Sequence, residues 1–252
     1  MNDNIWIRHG TWCEEAKMNL LCFPYAGGSP GIFAGWAKDF KEDINLCPVL
    51  YPGRDIRMDE PISKDIKNVA REFVKESKEL FDIPFGIVGY CAGGLFAYES
   101  ILCIKEMYNK TPEFFIPISF ASPSYKMRLS EICKSTEDSE LVSYLTDNGI
   151  VDKEIAKDED FLNYYLPIIQ GDLQAVDNYL YGNVDNLNLD IYAFFGKDDD
   201  MFSNDDKELW NKYTNTKCVV SDINGRHYCM EENSDFIISF IKNIKEVKQN
   251  GK

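Results

Sequence analysis

The sequence predicts an α/β protein: a mostly parallel central sheet, helices on both faces and one helical insertion. Three observations carry this. Short apolar runs alternate with helix-period segments along most of the chain. One such run, PFGIVGY (84–90), feeds directly into a glycine-flanked turn, Gly89-Tyr90-Cys91-Ala92-Gly93, and then into a helix. The stretch 125–185 breaks the alternation with helical patterns and no good strand.

In chain order, NLLCFPYAG (19–27) reads as a buried strand ending in a glycine turn, 31–40 as a short helix and INLCPVLYPG (44–53) as a second strand. Residues 63–81 form the clearest helix, with Ser63 as its cap and Ile66, Val69, Phe73, Val74, Leu80 and Phe81 along one stripe. After strand 84–90, a helix runs from Ala92 to Tyr108, and FFIPISFAS (114–122) is the next strand. Beyond the insertion come strand 189–196, a helix near 205–213, strand 216–223 and a closing helix over 234–244. Alternation of this kind builds a parallel sheet covered on both sides. Residues 1–252 are thus expected to form one domain, with 125–185 lying over one end of the sheet as a lid.

Composition narrows the function. The chain has 252 residues, 44% of them hydrophobic, and a formal net charge of −15. Such a field repels nucleic acid and anionic membranes. No apolar run approaches the roughly 20 residues of a membrane span. The N-terminus lacks a signal-peptide pattern, so a cytoplasmic protein is expected. None of the eight cysteines forms a C-x-x-C pair, so neither zinc nor a redox dithiol is expected, and no cofactor. Cys22, Cys47, Cys103 and Cys218 sit in apolar stretches and read as small core residues.

The glycine-flanked turn has the form G-x-C-x-G, the shape of a nucleophile elbow with cysteine where serine is usual. Such an elbow holds its central residue in strained backbone angles. Its glycines let the helix pass close to the strand. The turn also sets Cys91 at a helix N-terminus, where N–H groups and the helix dipole favour a thiolate.

A nucleophile needs a base, and the base needs an orienting carboxylate, in the chain order nucleophile, acid, histidine. Only two histidines are present. His9 precedes the core and reads as a surface residue. His227 follows the last strand in INGRHYC and is the candidate base. The acid is expected after strand 189–196, in GKDDDMF. The G-x-x-D spacing from Gly196 selects Asp199, with Asp198 and Asp200 as alternatives. An oxyanion hole needs two backbone N–H donors. Ala92 is expected to supply one. The turn in FPYAGGSPG is expected to supply the other, from Ala26 or from Tyr25.

These segments resemble those of a known family. CFPYAGGSPGIFAGWA, YPGRDIRMDEP, VGYCAGGLFAYE, YLPIIQGDLQAVDNYLY, FFGKDDD and GRHYCM occur in the order seen in type II thioesterases, over about residues 5–245. These are the stand-alone editing enzymes of nonribosomal peptide and polyketide assembly lines. The resemblance implies an α/β-hydrolase fold with a helical lid. It also implies hydrolysis of acyl groups from the phosphopantetheine arm of acyl or peptidyl carrier proteins, by a monomer. By position it assigns Cys91 as nucleophile, His227 as base, Asp199 as acid, and Ala26 and Ala92 as oxyanion donors. Two departures stand out: Cys91 where most members have serine, and Gln170 where an arginine is common.

A cysteine acyl-enzyme is itself a thioester and keeps its transfer potential. Transfer of the acyl group to an amine, alcohol or thiol is therefore an alternative to hydrolysis, and cleavage of small esters or lactones is a second. Carrier proteins are often acidic, so docking on this chain calls for a basic patch. Arg54, Arg57, Lys126 and Arg128 are the candidates. Tyr144, Leu145, Phe161, Tyr164, Tyr165, Leu166 and Tyr179 are expected to pack with one another and the core, a minority lining an acyl channel.

Overall fold

The computed structural model describes residues 4–40, 43–125, 138–147, 151, 153–181 and 186–250. Six strands form one parallel sheet: β1 (Met18–Phe23), β2 (Ile44–Pro48), β3 (Phe85–Tyr90), β4 (Phe114–Ile118), β5 (Asp190–Gly196) and β6 (Cys218–Ile223). Their spatial order is β2-β1-β3-β4-β5-β6. The chain therefore reverses its direction of travel across the sheet between β1 and β3. In open α/β sheets, the crevice beyond the strand C-termini at such a switch point is where ligands bind. Strands β1 to β4 are buried along their whole length, as both-face coverage requires.

The two faces are covered by different elements. Helix α1 (Ala37–Phe40) and the closing helix, numbered below, take one face. Helices α2 (Ile66–Glu76) and α3 (Ala92–Tyr108) take the other. Helix α2 buries Ile66, Val69, Ala70, Phe73 and Val74, one continuous stripe at helical spacing. Phe73 packs edge-on against Phe23 of β1 and against Trp6, with ring centroids 5.4 and 5.8 Å away. Full burial of each such ring stabilises the fold by about 2–3 kcal/mol.

The connection between β4 and β5 holds helices α4 (Asp138–Asp147) and α5 (Glu159–Asn178) and, among the described residues, no strand. Asp158 caps α5, accepting the N–H groups of Asp160 and Phe161. Pro167 lies inside α5. Leu166, Ile169 and Leu173 join the main core, while Phe161 and Tyr165 stack on each other at 4.4 Å. Tyr179, just past the helix, donates a short hydrogen bond to the buried Glu99 of α3. Leu145 is buried and Tyr164 is partly exposed; the side chain of Tyr144 lies outside the described residues. Helices α6 (Asn204–Lys207) and α7 (Ser234–Asn250) complete the chain. Phe240 of α7 packs on Tyr192 and Phe194 of β5. Trp210 packs on Phe115 on the opposite face.

Several boundaries differ from those the sequence predicts. Helix α2 starts at Ile66 because Asp65, not Ser63, is its cap: the Asp65 carboxylate accepts the Asn68 N–H at 3.1 Å. The helix ends at Glu76, and 78–81 form a separate 3-10 turn. Residues 30–36 are likewise 3-10, initiated by Pro30. Strand β4 ends at Ile118, where Ser119 adopts a φ of 48° and turns the chain out of the sheet. Cys22, Cys47 and Cys103 are core residues as expected. Cys218 is only half-buried because β6 is the sheet edge. No helix among the described residues is long and apolar enough to cross a membrane.

Candidate active site

Three strand ends converge at the carboxyl edge of the sheet. Strand β3 ends at Tyr90, α3 begins at Ala92, and Cys91 between them has φ 50° and ψ −123°. A non-glycine residue in that region costs about 1–3 kcal/mol. Hydrogen bonds on both sides hold it there: Cys91 N–H donates to the Ile118 carbonyl, and the Cys91 carbonyl accepts from Gly94 N–H, each at 2.8 Å. The flanking glycines allow the approach. A Cβ on Gly93 would sit 2.3 Å from the Phe23 carbonyl oxygen, and one on Gly89 would sit 2.7 Å from the Gly94 Cα. The first turn of α3 therefore rests on the end of β1, and the loop after β1 lies beside the elbow.

The loop after β5 carries Asp199 and the loop after β6 carries His227. These loops are joined by backbone bonds from Lys197 to Ile223 and from Asp198 to Gly225. His227 Nδ1 donates to Asp199 Oδ2 at 2.9 Å, and His227 Nε2 lies 3.2 Å from Cys91 Sγ. The second Asp199 oxygen accepts from Met201 N–H at 3.0 Å. Asp198 and Asp200 are exposed, and Asp200 pairs with Arg226 at the surface. His9, also exposed, lies 3.6 Å from Asp55.

All three residues are nearly out of water: Cys91 is 3%, His227 4% and Asp199 7% exposed. Burial works against the His227 cation. The negative charge on Cys91 and the Asp199 hydrogen bond outweigh it and push the imidazole up to about 10. The arrangement thus favours the imidazolium form of His227 opposite the Cys91 sulfur. Tyr25, Tyr90 and Tyr228 pack edge-to-face beside it, with Tyr228 5.1 Å from the His227 ring. Burial first, then the charges of Glu231, Tyr165 and Cys91, raise the Tyr25 hydroxyl to about 12, so it stays neutral.

Ala92 is the first residue of α3, so its N–H has no acceptor within the helix. In the turn after β1, Gly28 N–H donates to the Tyr25 carbonyl and Gly27 N–H to Asp172, both at 2.8 Å. The N–H groups of Tyr25 and Ala26 are the remaining donors there.

Two expected docking residues are not at the surface. Arg54 is 3% exposed and bound through both terminal nitrogens to Asp172. Arg57 is buried against the Trp6 ring, bonded to Glu60 and to the Leu50 carbonyl. Each guanidinium is neutralised by a carboxylate and cannot offer free positive charge to a partner. Lys126 and Arg128 lie outside the described residues. Sequence reasoning also missed Ser119. Its buried hydroxyl donates to the His227 carbonyl at 2.6 Å and fixes the histidine loop against β4. A lone serine after a strand carries no signal of that role.

A parallel sheet with a strained cysteine elbow at its switch point, and an acid and a histidine on its last two strand ends, defines an α/β hydrolase. The thioesterase-domain family model matches residues 18–244. The chain belongs to that family and is an enzyme of that class. The medium-chain S-acyl fatty acid synthase thioesterase of Homo sapiens is 30% identical over 92% of this chain and 89% of its own. The gramicidin S biosynthesis protein GrsT of Aneurinibacillus migulanus is 24% identical, covering 94% and 93%. Among solved structures, the type II thioesterase BorB from the borrelidin biosynthetic cluster superposes with a TM-score of 0.85 at 26% identity. That match covers 95% of this chain and 97% of BorB.

Proposed function

We propose that the chain is a stand-alone type II thioesterase that hydrolyses acyl groups from phosphopantetheinyl carrier proteins, with Cys91 as nucleophile. The carrying observation is the relay from Asp199 through His227 to Cys91, at 2.9 and 3.2 Å, on a strained elbow. Relatives named for fatty acid synthase, gramicidin S and borrelidin chemistry support a carrier-borne thioester as substrate.

The Cys91 thiolate attacks the thioester carbonyl and forms a new C–S bond. The negative charge moves to the carbonyl oxygen, where the N–H groups of Ala92 and Ala26 receive it. Collapse expels the pantetheine sulfur, which takes a proton from His227. The resulting acyl-enzyme has an uncharged sulfur at Cys91. That removes the first of the influences that raised the imidazole, so His227 becomes a neutral base. It takes a proton from water as the hydroxide oxygen bonds to the acyl carbon. The second tetrahedral intermediate releases the acid and restores the thiolate opposite an imidazolium. Asp199 holds the tautomer throughout.

Helices α4 and α5 act as the lid, and the long, thin pantetheine arm suits a sulfur with so little exposure. Because a cysteine acyl-enzyme retains its transfer potential, passage of the acyl group to an amine is the second reading. Intact-mass spectra with an acyl-carrier substrate test both. An acyl adduct absent in Cys91→Ala, discharged to free acid in water, supports hydrolysis; faster discharge to an amide with added amine supports transfer. Full turnover by Cys91→Ala would overturn the nucleophile assignment.

A further inference from the structure

Arg54 lies in the loop after β2 and Asp172 in α5, yet they form a two-pronged ion pair with both bonds at 2.7 Å and both side chains 3% exposed. Neither residue touches the Asp199–His227–Cys91 relay through any bond described above. Both instead reach the turn after β1. Asp172 Oδ2 accepts the Gly27 N–H at 2.8 Å, and Arg54 Nη1 donates to the Gly28 carbonyl at 3.1 Å. Beneath the guanidinium, 5.2 Å from its ring centre, Tyr51 donates its hydroxyl to the Pro24 carbonyl. Ile169, on α5 near Asp172, closes the space above Gly27: a Cβ there would meet Ile169 Cγ1 at 2.3 Å. Gly27 has a φ of 78°, so the turn tolerates no side chain at that point in either respect.

Stability alone is a poor reason for this pair. Removing two charges from water costs more than their attraction readily returns, and an apolar pair of similar size often folds as well. Arg54 Nε, moreover, is buried with no hydrogen-bond partner among the described residues. What the pair does accomplish is geometric. It fixes the Gly27 N–H and the Gly28 carbonyl, and so fixes where the Gly28 N–H points. That N–H donates to the Tyr25 carbonyl. The carbonyl and N–H of one trans peptide point in opposite directions. With its carbonyl held inward by Gly28, the Tyr25–Ala26 peptide aims the Ala26 N–H outward from the turn, which packs against the elbow.

We propose that Arg54 and Asp172 are positioning residues for the oxyanion donor of the β1 turn. Through Gly27 and Gly28 they hold the Ala26 N–H aligned on the carbonyl oxygen of a substrate at Cys91. The assignment rests on Cys91 attacking an acyl carbonyl as described above. Because one partner belongs to α5, it also makes the donor's alignment depend on how that helix sits.

The test compares two reactions of the same sulfur. Alkylation of Cys91 by iodoacetamide displaces iodide at a saturated carbon and builds no oxyanion. Hydrolysis of a small acyl-pantetheine thioester does. In Asp172→Asn, and in the double variant Arg54→Met/Asp172→Leu that leaves no uncompensated charge, kcat for the thioester should fall about 10²-fold, the effect of losing one oxyanion donor. Alkylation, read by mass at the Cys91 peptide, should change less than about twofold, since nothing in that step uses the donor. KM should move little, and Arg54→Lys, which keeps the charge but loses the fork, should fall between. A parallel fall of both reactions, or an unchanged kcat in folded variants, overturns the proposal. Should the double variant melt below the assay temperature, Asp172→Asn and Arg54→Lys give the same comparison. Hydrolysis surviving in Cys91→Ala would instead defeat the nucleophile assignment, a result these variants cannot mimic.

Discussion

His227 Nε2 stands 3.2 Å from Cys91 Sγ, and the charge on that sulfur is the first influence that lifts the imidazole against its own burial. Changing the sulfur should therefore change how tightly the imidazole holds its proton.

The pH dependence follows from that coupling. His227 is raised from 6.5 to about 10, so its proton should stay bound well above neutrality in the resting protein. Cys91→Ser removes the sulfur whose charge lifts the imidazole, and His227 should then lose its proton at lower pH. NMR titration of the imidazole resonances in both proteins measures this. Identical midpoints would mean that the pair does not form. The sign for stability is set in the same way. A folded value above the unfolded one makes the imidazolium stabilising below about 6.5, and that contribution is lost as the pH rises toward 10.

Asp199→Asn should lower kcat by up to about 10⁴-fold, because an amide no longer holds the imidazole in the needed tautomer. Asp198→Asn and Asp200→Asn should stay within about twofold. Both side chains are exposed, and the Asp200–Arg226 pair is a surface contact worth about 0–1 kcal/mol. Steady-state rates on one small thioester decide it; a large loss at Asp198 or Asp200 would reassign the acid.

Ser119→Gly tests the hydroxyl that holds the histidine loop. Glycine accepts the positive φ of this position without strain, so what is lost is the 2.6 Å bond to the His227 carbonyl and the 3.5 Å contact with Cys229 Sγ. Leaving that buried carbonyl unpaired should cost about 1–3 kcal/mol in a thermal or denaturant melt and lower kcat without a matching change in KM. An unchanged melt would show that the loop does not depend on this bond.

Gly93→Ala should fail to give a stable protein. Its new Cβ would meet two backbone oxygens, of Phe23 and Pro24, at 2.3 and 2.4 Å, and neither can step aside. A loss at or above about 3 kcal/mol is expected. Gly35→Ala, with nothing within 4 Å, is the matched control, and its melt should be near wild type.

The relay was legible because its residues obey local rules. Cys91 announces itself by glycines at ±2 between a strand and a helix. His227 stands out as the one histidine after the last strand, and Asp199 follows from spacing after β5. Arg54 was not legible. A charged residue in a loop reads as solvated until its partner is known, and that partner, Asp172, lies 118 residues further along the chain. The start of α2 failed for a smaller reason: Ser63 and Asp65 are both competent caps, and only the position of the first free N–H distinguishes them. Cys218 misled because an apolar run is buried in a central strand but half-open at a sheet edge.

Pro167 has no N–H to return to the Asn163 carbonyl, so the ladder of α5 is broken there. Beyond the break, Ile169, Asp172 and, just past the helix, Tyr179 are anchored in the body of the protein. Before it, Phe161, Tyr164 and Tyr165 pack on one another, Tyr164 also accepts the Asp55 N–H, and Leu166 reaches the core. Under the proposed function, substitutions at Phe161, Tyr164 and Tyr165 would alter the acyl side of the lid, while Ile169 and Asp172 would go on holding the turn after β1. Divergence of substrate preference within such a scaffold need not pass through inactive ancestors.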